Sequence, residues 1–232
     1  MSSLARSPRL YVADALPGPV ALTTAQAQYL AQVLRLKPGG VVRLFNGRDG
    51  EWQARLERLD RRAATAVPTD QLRTQAPEPG PHLLFAPLKK ARLDMLVEKA
   101  VELGATRLSP VRTRHTVADK IRPERLTAQI IEAAEQCERL TLPVLDPLIT
   151  LDRLLDHWPG QTVLYAALER QDAQPVPAEP DAALLVGPEG GFDAGERDRL
   201  LAHAAVRPVS LGPRILRAET AVIAGLARLT RA

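Results

Sequence analysis

The sequence predicts two domains of different class: a small β-barrel with one helix over residues 1–75, and an α/β domain over 76–232. The second domain is expected to hold a mostly parallel sheet covered by helices on both faces. Three observations carry this. The N-terminal part consists of short runs with partial period-two alternation, broken by glycine turns. The stretch QAPEPGP (75–81) has three prolines and no apolar periodicity, which reads as a linker. Beyond it strands and helices alternate, as they do where crossover helices join parallel strands.

The elements follow in order. RLYV (9–12), VVRLF (41–45), WQARLERL (52–59) and RAATAV (62–67) read as strands, with KPGG and NGRDG as turns between them. TTAQAQYLAQVLRL (23–36) has a threonine cap and apolar residues at Tyr29, Leu30, Val33 and Leu34, which predicts a helix. After the linker, HLLFAPL (82–88) is a strand, and residues 89–105 form a helix with Leu93, Leu96, Val97, Ala100, Val101 and Leu103 on one face. Gly104 closes that helix in the manner of a C-cap. RLSPV (107–111) is a strand and PERLTAQIIEAAEQCERL (123–140) a helix with proline at its start. TVLYAAL (162–168), AALLV (182–186) and RPVSL (207–211) complete the strands, with helices at 193–204 and 217–230. QDAQPVPAEPD (171–181) is a proline-rich surface loop, and no internal repeat is present.

Composition narrows the function classes. With 232 residues and 45% apolar content the chain can build a proper core. Its apolar runs are too short to span a bilayer, and MSSLARSPRL has no apolar signal core, so no membrane partner and a cytoplasmic address are expected. Cys137 stands alone, and the four histidines at 82, 115, 157 and 203 show no ligand spacing, so no metal is expected. The formal charge of +4 is unevenly spread. Residues 1–75 carry 11 Lys/Arg against 6 Asp/Glu, a net +5, while the rest carry 20 against 21. A basic module joined to a near-neutral domain suits a polyanion such as RNA, although a solvated basic face would read the same way.

The chemistry concentrates near the C-terminus. Three strand ends run into irregular segments: Ala166-Ala167-Leu168, Gly187-Pro188-Glu189-Gly190-Gly191 and Leu211-Gly212-Pro213-Arg214. Ligands of parallel sheets bind outside the carboxyl ends of the strands, so these loops are expected to line one pocket. Gly190 and Gly191 would let a ligand approach the backbone closely. Asp193 and Glu196 form a D-x-x-E capping box and belong to the helix. Glu189 and Asp193 would repel a phosphate, and the P-loop spacing with its Lys-Ser/Thr ending is absent, so a neutral or cationic ligand fits better. The plainer alternative is a tight turn. Arg214, Arg217 and Glu219 surround a predicted helix start, where a cation is disfavoured unless it has another partner such as an anionic substrate. They could equally be surface charges.

VGPEGGF followed by LGPRILRAETA resembles the paired signature of the RsmE family, bacterial SPOUT-class methyltransferases. That family transfers a methyl group from S-adenosylmethionine to N3 of a uridine in 16S ribosomal RNA. The similarity extends to EKAVELGATRLSPV (98–111), AAEQCERLTLP (133–143), PRLYV and VLRLKPGGVVRLFNG, and so runs along nearly the whole chain in order. It implies a PUA-like N-terminal β-barrel, a SPOUT-like domain with a deep trefoil knot, and a homodimer. The apolar helix face of Val222, Ile223, Leu226 and Leu229 is compatible with core or dimer contact.

The resemblance also places the cofactor among Ala167, Leu168, Gly187, Glu189, Gly190, Gly191, Leu211, Gly212, Ile215 and Leu216. The adenine is expected against backbone and the side chains of Leu211, Ile215 and Leu216. A sulfonium with no phosphate agrees with the electrostatic reading. Uridine N3 bears a proton, which must leave, or its developing anion must be stabilised, before attack on the methyl group. Arg217 is the candidate for stabilising the uracil oxygen, and Glu219 or Glu189 could orient that arginine or accept the proton. For RNA the candidates are Arg9 and Arg35 in the barrel, and Arg112, Arg114 and Lys120 in RTRHTVADKIR (112–122), where four Lys/Arg face one acid. RTRHTV departs from the family's Ser-Glu-Arg-Ser type of stretch, which leaves the role of Arg114 open. His115 is expected at the surface and Cys137 as a buried small side chain. The rival classes are a non-catalytic RNA-binding protein and a nucleotide-phosphate enzyme on a doubly wound sheet.

Overall fold

The computed structural model describes residues 7–118, 121–169 and 173–230. Contacts divide the chain into two units, Met1–Pro77 with Ala134–Leu142, and Glu78–Ala133 with Pro143–Ala232. The first boundary falls two residues beyond the expected 75, and the return of 134–142 to the first unit has no counterpart in the sequence expectation.

The first unit contains β1 (Arg9–Tyr11), β2 (Val20–Leu22), β3 (Val41–Phe45), β4 (Glu51–Leu59) and β5 (Ala64–Arg73), in the order β1-β3-β4-β5-β2. β1 lies parallel to β3 and the other ladders are antiparallel. Period-two alternation sends Val42, Leu44, Ala54, Leu56, Ala64 and Ala66 to one buried face, the core of the unit. β5 continues past the expected Val67 even though Pro68 cannot donate to a ladder. β2 covers only Ala64–Ala66, so from Val67 onward β5 is an edge, and Pro68 sits beside a register shift in β4.

The expected helix over 23–36 is shorter and looser. Thr23 and Gln26 form a reciprocal capping box at the start of α1 (Thr24–Gln28), and the chain then widens into a π-helical turn, Tyr29–Val33. The wider turn rotates Tyr29, Val33 and Leu34 off the buried face, leaving them exposed, while Ala27 and Leu30 reach the core and Leu36 packs against it.

Segment 134–142 buries Ala134 and Leu140 and is held as well by charged side chains of the first unit. Arg9 pairs with Glu51 at 2.8 Å and donates to the carbonyl of Ala134 at 2.7 Å and to that of Arg139. Arg43 reaches the Glu138 carboxylate at 2.9 Å, and Arg73 donates to the Glu138 carbonyl at 2.7 Å. Arg9 was expected on the RNA face, and its side chain is instead 2% exposed, lying 3.6 Å above the Phe45 ring. Burial lowers its pKa while Glu51 acts to raise it. With three of its five N–H donors committed inside the fold and the side chain out of reach of solvent, this guanidinium is not presented to a phosphate.

The second unit contains β6 (His82–Phe85), α2 (Lys90–Glu102), β7 (Arg107–Arg112), α3 (Pro123–Gln136, whose last three residues belong to the first unit), β8 (Val144–Leu145), β9 (Ile149–Thr150), α4 (Leu151–Asp156), β10 (Leu164–Ala167), β11 (Ala183–Val186), α5 (Ala194–Ala202), β12 (Val206–Val209) and α6 (Ala218–Leu229). The sheet runs β12-β10-β11-β6-β7-β8, with β9 also on β7, and all its ladders are parallel. Fully buried strands explain why AALLV is continuously apolar rather than alternating. α6 crosses β11 closely enough that a Cβ on Gly225 would come within 2.5 Å of Leu184 Cδ2. β8, β9 and α4 lie where the pattern predicts no element, since none is long enough to show a period; α4 starts on a Thr150 cap. No helix among the described residues is long and apolar enough to cross a membrane.

Candidate functional site

The site begins with strand register. Ala167 of β10 pairs with both Val186 of β11 and Val209 of β12, so three neighbouring parallel strands end at one level. The loops leaving them, together with the start of α6, enclose a cavity of about 990 Å³. That is within the size range of small-molecule sites. Its walls are 167–169, 186–192 and 209–216, with Arg197, Ala218 and Ala221. All ten residues assigned to the cofactor from the sequence line it.

Glycines shape these walls in two ways. Gly191 and Gly212 have φ of +67° and +126°, with open space where a Cβ would stand, so ligand can meet backbone there. At Gly187 and Gly190 the space is taken by neighbours: a Cβ would lie 2.9 Å from the Phe192 ring and 3.0 Å from His115 Cβ respectively. The loop is therefore packed from behind and open in front.

Three contacts hold it. His115 Nδ1 lies 3.0 Å from the Gly190 carbonyl and 3.2 Å from that of Gly191. Both oxygens only accept, so Nδ1 carries the proton and donates. Asp193 and Glu196 form the capping box at α5, with bonds of 2.7 and 3.0 Å, and Glu196 also accepts the Arg114 amide at 2.8 Å. Those two acids are occupied by structure. Glu189 is bound by Arg92, Nη1 to Oε1, at 2.6 Å.

Two family models match the chain: an RNA methyltransferase domain over residues 76–230, and an RNA methyltransferase PUA domain over 22–69. The ribosomal RNA small subunit methyltransferase E of Rickettsia conorii is 34% identical over 207 residues, covering 87% of this chain and 84% of that protein. The protein of the same name from a Synechocystis species is 32% identical over 242 residues, covering 98% and 78%. The chain belongs to the ribosomal RNA small subunit methyltransferase E family. Among solved structures, that enzyme from Neisseria gonorrhoeae, bound to S-adenosylmethionine, superposes with a TM-score of 0.84 at 31% identity and 96% coverage of both chains. A methyltransferase from Legionella pneumophila with bound S-adenosylmethionine gives 0.84 at 30% identity and 97% coverage of both.

In this family member the charged residues sit differently from the sequence expectation. Neither Glu189 nor Glu219 pairs with Arg217; both face Arg92, whose Nε is 3.8 Å from Glu219 Oε1. Arg217 is exposed at the N-cap position of α6, makes no side-chain cap bond, and lies between the lining residues Leu216 and Ala218. Glu219 is 7% exposed and its Oε2 has no hydrogen-bond partner. Arg92 is the residue the sequence reading missed. A signal existed, since it is a cation in the first turn of a helix with no acid there, the anomaly that singled out Arg217.

The basic candidates separate. Arg35 is exposed, has a left-handed φ of +53°, and borders a hollow of about 530 Å³ in the first unit with Gln32, Asp60 and Arg61. Arg112 and Arg114 are exposed, and Arg114 reaches to 3.8 Å from Asp193. Lys120 lies outside the described residues.

Proposed function

We propose that this S-adenosylmethionine-dependent ribosomal RNA methyltransferase methylates N3 of a uridine in 16S RNA, holding its cofactor in the cavity at the ends of β10, β11 and β12. The observation that supports the reading is that one cavity of about 990 Å³ is lined by every residue the family resemblance assigns to the cofactor. The residues fit the group: Leu211, Ile215 and Leu216 offer apolar surface to an adenine, and Gly191 and Gly212 offer bare backbone. The cofactor, when bound, supplies an electrophilic methyl group on a sulfonium. Pairing of Glu189 with Arg92 leaves no uncompensated anion on the glycine loop, while the loop still lacks the basic ending of a phosphate cradle.

Arg217 is the proposed electrophilic group. It projects from the N-cap position beside the cavity with no protein partner among the described residues, free to donate to a uracil oxygen as negative charge grows there. Of the two acids, Glu189 lines the cavity but is held by Arg92 at 2.6 Å, whereas Glu219 keeps an unpartnered oxygen but is buried outside the lining, so either must be released before it takes the proton. Arg35, Arg112, Arg114 and Lys120 are proposed to contact RNA phosphates, which would position the substrate without specifying it.

The finer architecture belongs to the same proposal: a closed PUA-like barrel, a deep trefoil knot, a homodimer and a cytoplasmic address. In support of the knot, β11 lies between β6 and β10, so late chain enters between strands already laid down. Mass spectrometry of ribosomal RNA nucleosides with and without the gene tests the substrate atom. Loss of 3-methyluridine on deletion, restored by the wild-type gene, is the expected result; an unchanged level would overturn it. Monomer mass in light scattering at micromolar concentration would overturn the dimer.

A further inference from the structure

We propose that Arg92 is a positioning residue of the cofactor site, a single guanidinium that ties the glycine loop after β11 to the first turn of α6. The proposal rests on the cofactor reading above and adds a residue to it.

Arg92 is the third residue of α2, a helix that packs against α6. Leu93, Leu96 and Val97 are buried while Arg92 stays half-exposed, so it is not held by the core. A cation in the first turn of a helix is opposed by the helix dipole, and here two carboxylates answer that opposition. Nη1 meets Glu189 Oε1 at 2.6 Å, and Nε stands 3.8 Å from Glu219 Oε1. Glu189 belongs to one wall of the cavity; Glu219 sits in the same turn of α6 as the lining residues Ala218 and Ala221. One side chain thus spans two walls that come from distant parts of the sequence.

Electrostatics make the bridge necessary. Among the described residues, Arg92 is the cation within 4 Å of either acid. Glu219 is 7% exposed, and its other oxygen has no partner. Without the guanidinium the buried Glu219 at the start of α6 and the half-exposed Glu189 on the cavity wall would both be uncompensated, and the loop would move outward to reach water. A lysine offers the charge from one point and cannot spread planar donors over both acids, so it would restore the tie only in part.

The experiment compares wild type, Arg92→Ala, Arg92→Lys and the double variant Arg92→Ala with Glu219→Gln. S-adenosylmethionine affinity by calorimetry is expected to weaken about tenfold in Arg92→Ala, the scale of one charge-assisted hydrogen bond, and less in Arg92→Lys. Steady-state kinetics of the two single variants should show a larger change in the cofactor KM than in kcat, and the double variant is read by calorimetry alone because Glu219 is a candidate proton acceptor. Removing the orphaned charge in the double variant should recover part of the affinity. Binding within twofold of wild type in Arg92→Ala overturns the proposal, and so do equal losses in the alanine and lysine variants with no recovery in the double. Hydrogen exchange at the Gly190 and Gly191 amides of cofactor-free protein, expected to be about tenfold faster in Arg92→Ala, reads the tie itself. A wild-type protein that fails to bind S-adenosylmethionine would sink the functional reading, and unchanged exchange would sink the tie.

Discussion

Replacing Arg9 by alanine separates a structural arginine from an RNA-binding one. The side chain is 2% exposed, and its loss removes the 2.8 Å pair with Glu51, two bonds to the carbonyls of Ala134 and Arg139, and a cation over the Phe45 ring. Breaking a buried pair costs about 3–5 kcal/mol because the remaining charge is stranded. Here Glu51 keeps Arg73 at 2.5 Å and Arg43 at 3.5 Å, which lowers that figure. The two stranded carbonyls, at about 1–3 kcal/mol each where water cannot reach, and roughly 1 kcal/mol from the ring contact raise it again. The expected loss is about 3–5 kcal/mol. Urea unfolding in a Trp158→Phe background lets Trp52, which packs on the core of the first unit, report on that unit alone. A loss below about 1 kcal/mol together with weaker binding of a ribosomal RNA fragment would refute the structural role and return Arg9 to the RNA surface.

The remaining predictions concern the second unit. Burial, with help from Arg107 and against Asp146, pushes His82 down to about 4. The unfolded chain then binds a proton near pH 6.5 that the folded one refuses, so stability is full above that pH and falls as pH drops toward 4, by up to about 3 kcal/mol. His82→Phe, which keeps an aromatic ring against Trp158, should flatten that slope in urea titrations between pH 4 and 7. Gly187→Ala places a Cβ 2.9 Å from the Phe192 ring, which is 9% exposed. It should cost about 1–3 kcal/mol and weaken S-adenosylmethionine binding; wild-type stability in denaturant would contradict the packing. Asp193→Ala removes the cap of α5 and should cost about 1 kcal/mol by thermal or urea unfolding, with Glu196 left holding the Arg114 amide.

Much of this protein is determined by residues that are neighbours in the chain. The glycine loop, the strand before it and the D-x-x-E cap after it are local patterns, and Asp193 with Glu196 closes as the spacing requires. The strands of the second unit are legible as apolar runs because both faces are buried, and the convergence of three loops follows from all of them leaving parallel strands in one direction. Elements of two to six residues such as β8, β9 and α4 escape because they are too short to carry a period.

The partners of the charged side chains were decided by tertiary structure alone. Charge and spacing identify Arg9, Glu189, Arg217 and Glu219 as unusual, but an ion pair forms across whatever distance the fold closes. Arg9 meets carbonyls 125 and 130 residues away, and Arg92 meets a carboxylate 97 residues away. A local anomaly such as Arg92 in the first turn of a helix without an acid marks an arginine as unusual, but nothing local names its partner. That choice is made by which backbone carbonyls and acids the folded chain leaves without another partner.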